Sequence, residues 1–291
     1  SLTTSQVSAL SSASTAKLKS TQVASFTTAQ VAAMTTSQVK ALAATSVAAL
    51  GSNQLNAMTT SQVGALTAAQ VKALSSSTFA SMGTTQVAAL TTAQVAGLSV
   101  AVVGAMSSAQ VSSLTTSQVQ SLTANQVKAL AANKIAAMTT TQVAAFTSDQ
   151  IKSLSATQLQ ALTTSEVAAM GTAQVKALTD TQIKSLTSDA VASLTTAQVN
   201  ALSTAQLKAL SASQVTALTS TNVAALATSQ ISALTSSQVQ ALTTSAVNAL
   251  TTSLVNAMTT AQVAALTTGQ VQSLSTSTVS GISTTNVKAL G

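Results

Sequence analysis

The sequence predicts an all-α solenoid, a superhelix of very short helices with one helix to each eight-residue repeat. Three observations predict it. Every eighth residue from Leu2 to Leu290 is Leu, Met, Phe or Ile without an insertion or deletion, so residues 3–290 divide into 36 octads of the form T-T-x-Q-V-x-A-L. A helix-start signal recurs at the head of each octad. The remaining positions keep constant phase as apolar, small or variable sites. Strict phase over so many repeats means that each unit occupies the same environment, as in a stacked array.

Position 1 is Ser or Thr in 29 octads, and position 4 is Gln or Glu in 25. In Leu2-Thr3-Thr4-Ser5-Gln6-Val7, a Thr3 hydroxyl at the N-cap accepts the N–H of Gln6, and the Gln6 side chain reaches back to the N–H of Thr3. That is a capping box. Leu2 and Val7 then hold the two places of a hydrophobic staple. The frame recurs at Leu90–Val95 and Met258–Val263, and Gly51, Gly83 and Gly171 fall at the cap position, where glycine is tolerated.

The other positions follow from this frame. Position 5 is Val, Ile, Leu or Phe in every octad but one, the exception being Thr15; position 7 is Ala, Ser or Gly except at Lys17. All seven methionines (Met34, Met58, Met82, Met106, Met138, Met170 and Met258) lie at position 8. The four acids, Asp149, Glu166, Asp180 and Asp189, occupy positions 2 to 4, where a first helical turn favours carboxylates. Eight of the eleven lysines occupy position 6, which also takes Gln, Asn, Thr and Ala and reads as the solvent-facing site.

Helices of about six or seven residues, each re-aimed at the Leu-Thr junction, fit this pattern best. In one continuous helix the apolar stripe would rotate by about 80° per octad, leaving no straight seam. A β-solenoid is the alternative, since Thr and Val suit strands. Against it, positions 5 and 8 would point to opposite faces of a strand, and Ala at position 7 is a poor strand former. Isolated helices this short are unstable in water, so each octad must share its apolar face with neighbours. Met34, Met58, Met82 and Met106 are 24 residues apart, and the spacing becomes 32 for Met138 and Met170. Three or four octads per superhelical turn would produce such spacings, and so would duplication of a 24-residue block.

Composition removes most chemistry. Charged residues are 5% of the chain, against about 25% in ordinary proteins. Phe26, Phe79 and Phe146 are the only aromatics, and there is no Pro, Cys, His, Trp, Tyr or Arg. The sequence therefore offers no catalytic, cofactor-binding or metal-binding residues, and neither an enzyme nor a cofactor is expected. The net charge of +7 comes from scattered lysines. With no Arg and almost no aromatics it points to solubility rather than nucleic acid. No small-molecule substrate is implied. The most apolar stretch, Val100–Met106, is too short to span a membrane. No signal peptide is recognisable, and the start at Ser1 fits a processed form or a segment of something longer.

The repeat resembles the L-T-T-x-Q-V-x-A-L octads of long, low-complexity, secreted or surface proteins of bacteria, and the resemblance covers the whole chain. It implies an extracellular or cell-surface protein, fibrous or adhesin-like. Thr15, Lys17 and Lys19 depart from the pattern. They make residues 11–26 an irregular stretch within an otherwise single array (1–291), suited to a terminal cap or a subunit contact. The expected function is structural: a subunit of an extracellular bacterial filament, fibre or sheath built by self-association. The array stops without an obvious polar cap at either end, and low charge permits close lateral packing. A passive stalk or spacer in a large adhesin is the alternative, and ice binding through threonine arrays a minor one.

Overall fold

A computed structural model of the chain describes residues 2–290, and it is built from 36 short helices, α1 (Thr4–Ser8) to α36 (Thr284–Ala289), one per octad. Each helix starts at position 2, after an N-cap at position 1 in extended conformation. At α15 (Thr116–Ser121) the N-cap Thr115 has φ −70 and ψ 159. Its Oγ1 accepts the N–H of Gln118 at 3.2 Å, and Gln118 Oε1 accepts the N–H of Thr115 at 2.7 Å. The capping box expected from sequence is thus closed in both directions. Where position 1 is Gly or Lys, half of it persists: the N–H of Gly51 and of Lys19 still donates to the Gln Oε1 of its own octad.

The helices run four to six residues, slightly shorter than the expected six or seven. Position 8 already lies outside: Leu122 has φ −60 and ψ 135, while its N–H closes a bond to the Val119 carbonyl three residues back at 3.2 Å. Such i−3 bonds tighten a last turn before the chain leaves it. Two consecutive extended residues then re-aim the backbone, as at Met34 (φ −65, ψ 143) and Thr35 (φ −75, ψ 158). No described residue has a positive φ, so this joint needs no glycine C-cap of the left-handed kind. Among the described residues there is no strand, which removes the β-solenoid alternative.

The chain forms two compact units, Ser1–Leu154 and Ser155–Gly291, and within each one every helix packs on the helix three octads on. In the first, α10 (Ser76–Ala80) packs on α13 (Val100–Ala105), and α13 on α16 (Ala124–Ala129). In the second, α28 (Ser220–Ala224) packs on α31 (Thr244–Asn248), and α31 on α34 (Thr268–Ser273). Positions 5 and 8 form the core, Val87, Val119, Val215 and the methionines among them. Position 7 is small because it faces position 2 of the octad three before: a Cβ on Gly97 would lie 3.5 Å from the Ala68 Cβ.

Octads 2 and 3 keep this frame despite their irregular residues. Thr15 fills the position 5 slot, fully buried, and its hydroxyl donates to the Ser11 carbonyl at 2.9 Å. Lys17 and Lys19 point to solvent.

Candidate functional site

The charged residues do not converge. Among the described residues no group of His, Cys, Asp or Glu could hold a metal ion. Asp149, Asp180 and Glu166 lie in the first turns of their helices, as does Asp189. Asp149 stands 4.0 Å from Lys152 on an exposed helix surface, a geometry that contributes little. The position 6 lysines, such as Lys40 and Lys208, are exposed. A groove of about 430 Å³ is lined by Thr36, Ser37, Lys40, Gly64, Thr67 and Thr91, all from the repeat frame.

What the fold does converge is amides on carbonyls. Position 4 is buried in nearly every octad, and the glutamine there acts twice. Its Oε1 caps its own helix; its Nε2 reaches the helix end four octads earlier. Gln142 Nε2 donates to the carbonyls of Val111 (3.0 Å), Ser112 (3.2 Å) and Leu114 (2.7 Å). Gln38 does the same to Val7, Ser8 and Leu10 in the first unit, and Gln198 to Val167, Ala168 and Met170 in the second. Those acceptors are the carbonyls of positions 5, 6 and 8, at the helix C-terminus where i+4 donors run out; the position 5 carbonyl also accepts the position 8 N–H of its own octad, as Val111 does from Leu114. The helix start of one octad thus completes the helix end of another, and no described buried side-chain nitrogen or oxygen is left unsatisfied.

Packing at three octads together with hydrogen bonds at four puts one superhelical turn between three and four octads within each unit. The methionine spacings of 24 and 32 residues straddle that turn.

At several octads where position 4 is not Gln, another donor takes its place. Ser46 reaches Leu18, Asn222 reaches Leu194, and Thr278 reaches Leu250, each 28 residues back. Lys134 donates through Nζ to the Gly104 carbonyl. Glu166 retains the capping half, accepting from the N–H and hydroxyl of Thr163. Val102, Ala190, Ala246 and Leu254 carry no donor and leave gaps in the ladder.

Sequence reasoning assigned position 4 to capping alone and missed its second bond. A signal was present. Glu serves a capping box as well as Gln, yet position 4 is Gln in 24 octads and Glu only at Glu166. A carboxylate cannot donate, so the near absence of Glu reports a need for an N–H.

A ladder of this kind in an array of identical short helices defines a helical repeat protein. The chain belongs to the ALTTAQ repeat family, which matches residues 39–68, 68–100, 124–156, 156–188, 167–204, 191–228 and 247–276. Ala89-Leu90-Thr91-Thr92-Ala93-Gln94 reads as that hexapeptide and runs from position 7 of one octad to position 4 of the next. No curated protein sequence matches the chain. No described helix is long and apolar enough to cross a membrane.

Proposed function

We propose that the chain is a structural protein, a subunit of an extracellular bacterial filament, fibre or sheath that assembles by self-association of these solenoids. The observation that carries the reading is the polarity of the amide ladder. Each turn presents glutamine Nε2 donors on one face and position 5 and 8 carbonyls on the other, so a turn is complementary to any other turn. The recurrence of such bonds within each unit, as at Gln62 on Met34 and Gln238 on Leu210, supports a role in building structure rather than in holding a ligand. The low charge, 5% of residues, leaves little repulsion between copies lying side by side.

Electron microscopy of the purified chain tests this. Elongated assemblies that lengthen with protein concentration are expected. Particles that stay monomeric at high concentration would overturn the proposal.

A further inference from the structure

We propose that one face of the first unit is a binding site for a linear acidic polysaccharide, whose carboxylates pair with a row of lysines and one of whose sugar residues enters the groove beside Lys40. The inference goes beyond the filament reading and does not depend on it.

The lysines of this unit share a line rather than a centre. Those at position 6 are Lys40, Lys72, Lys128 and Lys152, in octads 5, 9, 16 and 19, and all four are exposed. With Ala96 in octad 12, the steps between them run four, three, four and three octads. Each step joins adjacent turns. Gln70, in octad 9, donates to the Lys40 carbonyl at 3.4 Å and to that of Val39 at 2.9 Å. α9 (Ala68–Lys72) packs on α12 (Thr92–Gly97). Gln126, in octad 16, donates to the Ala96 carbonyl at 3.4 Å, and α16 packs on α19 (Ser148–Ser153). One turn takes between three and four octads, so alternating the two steps holds the row to one side of the unit. The single acid of the unit, Asp149, lies beside Lys152. A row of like charges repels itself and attracts an elongated anion.

The groove of about 430 Å³ opens on the same face, since its walls come from octads 5, 8, 9 and 12. It lies where Gly64 leaves position 6 without a side chain. Gly104 is the other glycine at that position, and its carbonyl accepts from Lys134. Lys40 supplies the charge of the groove, and Thr36, Ser37, Thr67 and Thr91 supply hydroxyls. The Oγ1 atoms of Thr67 and Thr91 each accept a capping N–H at 3.2 Å, which leaves their hydroxyl hydrogens to donate. Ala65, Ala68 and Ala93 line much of the rest. This combination suits a uronate: a carboxylate for the lysine, ring hydroxyls for the threonines and a C–H face for the alanines. No aromatic residue lines the groove, so a nucleic-acid base would have no stacking partner there.

The test is isothermal titration calorimetry of the full chain with polygalacturonate as the probe. Binding is expected, absent with neutral dextran and weaker as sodium chloride is added, because counterion release drives it. Lys40→Gln with Lys72→Gln strips charge from the row, and position 6 already takes glutamine at Gln120 and Gln240. Ala93→Glu sets a carboxylate in the groove at position 3, where Asp149 and Asp189 already stand. Each change is expected to weaken binding by at least about tenfold, equivalent to about 1.4 kcal/mol. Lys208→Gln with Lys288→Gln strips the same charge from the second unit and is expected to leave the affinity unchanged. Circular dichroism checks that every variant remains helical. A parent chain that does not bind polygalacturonate overturns the site. So does a loss on changing Lys208 and Lys288 that equals the loss on changing Lys40 and Lys72, since net charge alone would then explain the binding. Duplex DNA or phosphatidylglycerol vesicles bound as tightly, with the same response to the variants, would overturn a polysaccharide as the ligand.

Discussion

Gln142 donates its side-chain amide to the carbonyl of Leu114 at 2.7 Å, across a sequence separation of 28 residues. The oxygen of the same amide accepts the N–H of Thr139 at 2.8 Å. One side chain therefore joins the start of one helix to the end of another. Replacing it should show both effects. Gln142→Met keeps the volume and loses the hydrogen bonds, leaving buried carbonyls unpaired at a cost of about 1–3 kcal/mol. Gln142→Ala should cost more, since it also opens a void. Urea unfolding followed by circular dichroism checks the order parent, Met, Ala; equal stability for all three would show that the amide contributes nothing.

The cap itself can be separated from the ladder at Thr115. Its hydroxyl accepts from Gln118 and makes no bond to another turn. Thr115→Ser should be close to neutral and Thr115→Val should destabilise by about 1 kcal/mol. A Val variant as stable as the parent would mean that the extended N-cap backbone suffices without its side chain.

Val102 offers the reverse experiment. It is buried at position 4, three residues after the N-cap Ser99, whose hydroxyl accepts its N–H at 3.2 Å. The carbonyls 31 and 28 residues back belong to Val71 and Leu74. Val102→Gln places an amide over them and should stabilise by about 0.5–1.5 kcal/mol, the net worth of a typical hydrogen bond. A lower urea midpoint in the variant would contradict the ladder as a source of stability.

Position 7 is tested at Gly281. A Cβ there would stand 2.6 Å from the Thr252 Cγ2, well inside contact distance, although the Gly281 backbone (φ −102) suits any residue. Gly281→Ala should therefore destabilise by about 1–3 kcal/mol through overpacking. Adding Thr252→Ala removes the opposing methyl and should recover most of the loss in a double-mutant cycle. Additive effects would place the cost elsewhere than in this contact.

What could be read from the sequence follows the range of the interactions. Thr3, Gln6 and Val7 sit within one helical turn, so cap, capping box and staple were legible from eight residues. The bond from Gln142 to Leu114 was not, because its partner depends on how many octads complete a turn, and that number arises from the re-aiming angle at each Leu-Thr joint. Position 6 was legible only in part. It faces solvent, yet Gln160, Thr216 and Asn256 use it to reach the carbonyls of Ser185, Ala241 and Gly281, each 25 residues on. Thr15 looked like a break in the core, but its hydroxyl returns to the backbone and its shape fills the valine slot.

The amide ladder also bears on how a gene for such a chain can change. Each glutamine recognises a carbonyl set that is the same in every octad, not a particular neighbour. Unequal recombination that adds or removes whole eight-codon blocks would leave every surviving amide a matching acceptor, whereas a single inserted codon would move the caps downstream out of step with the turn below. Alleles of such a gene would be free to drift in length by octads and bound to keep their phase.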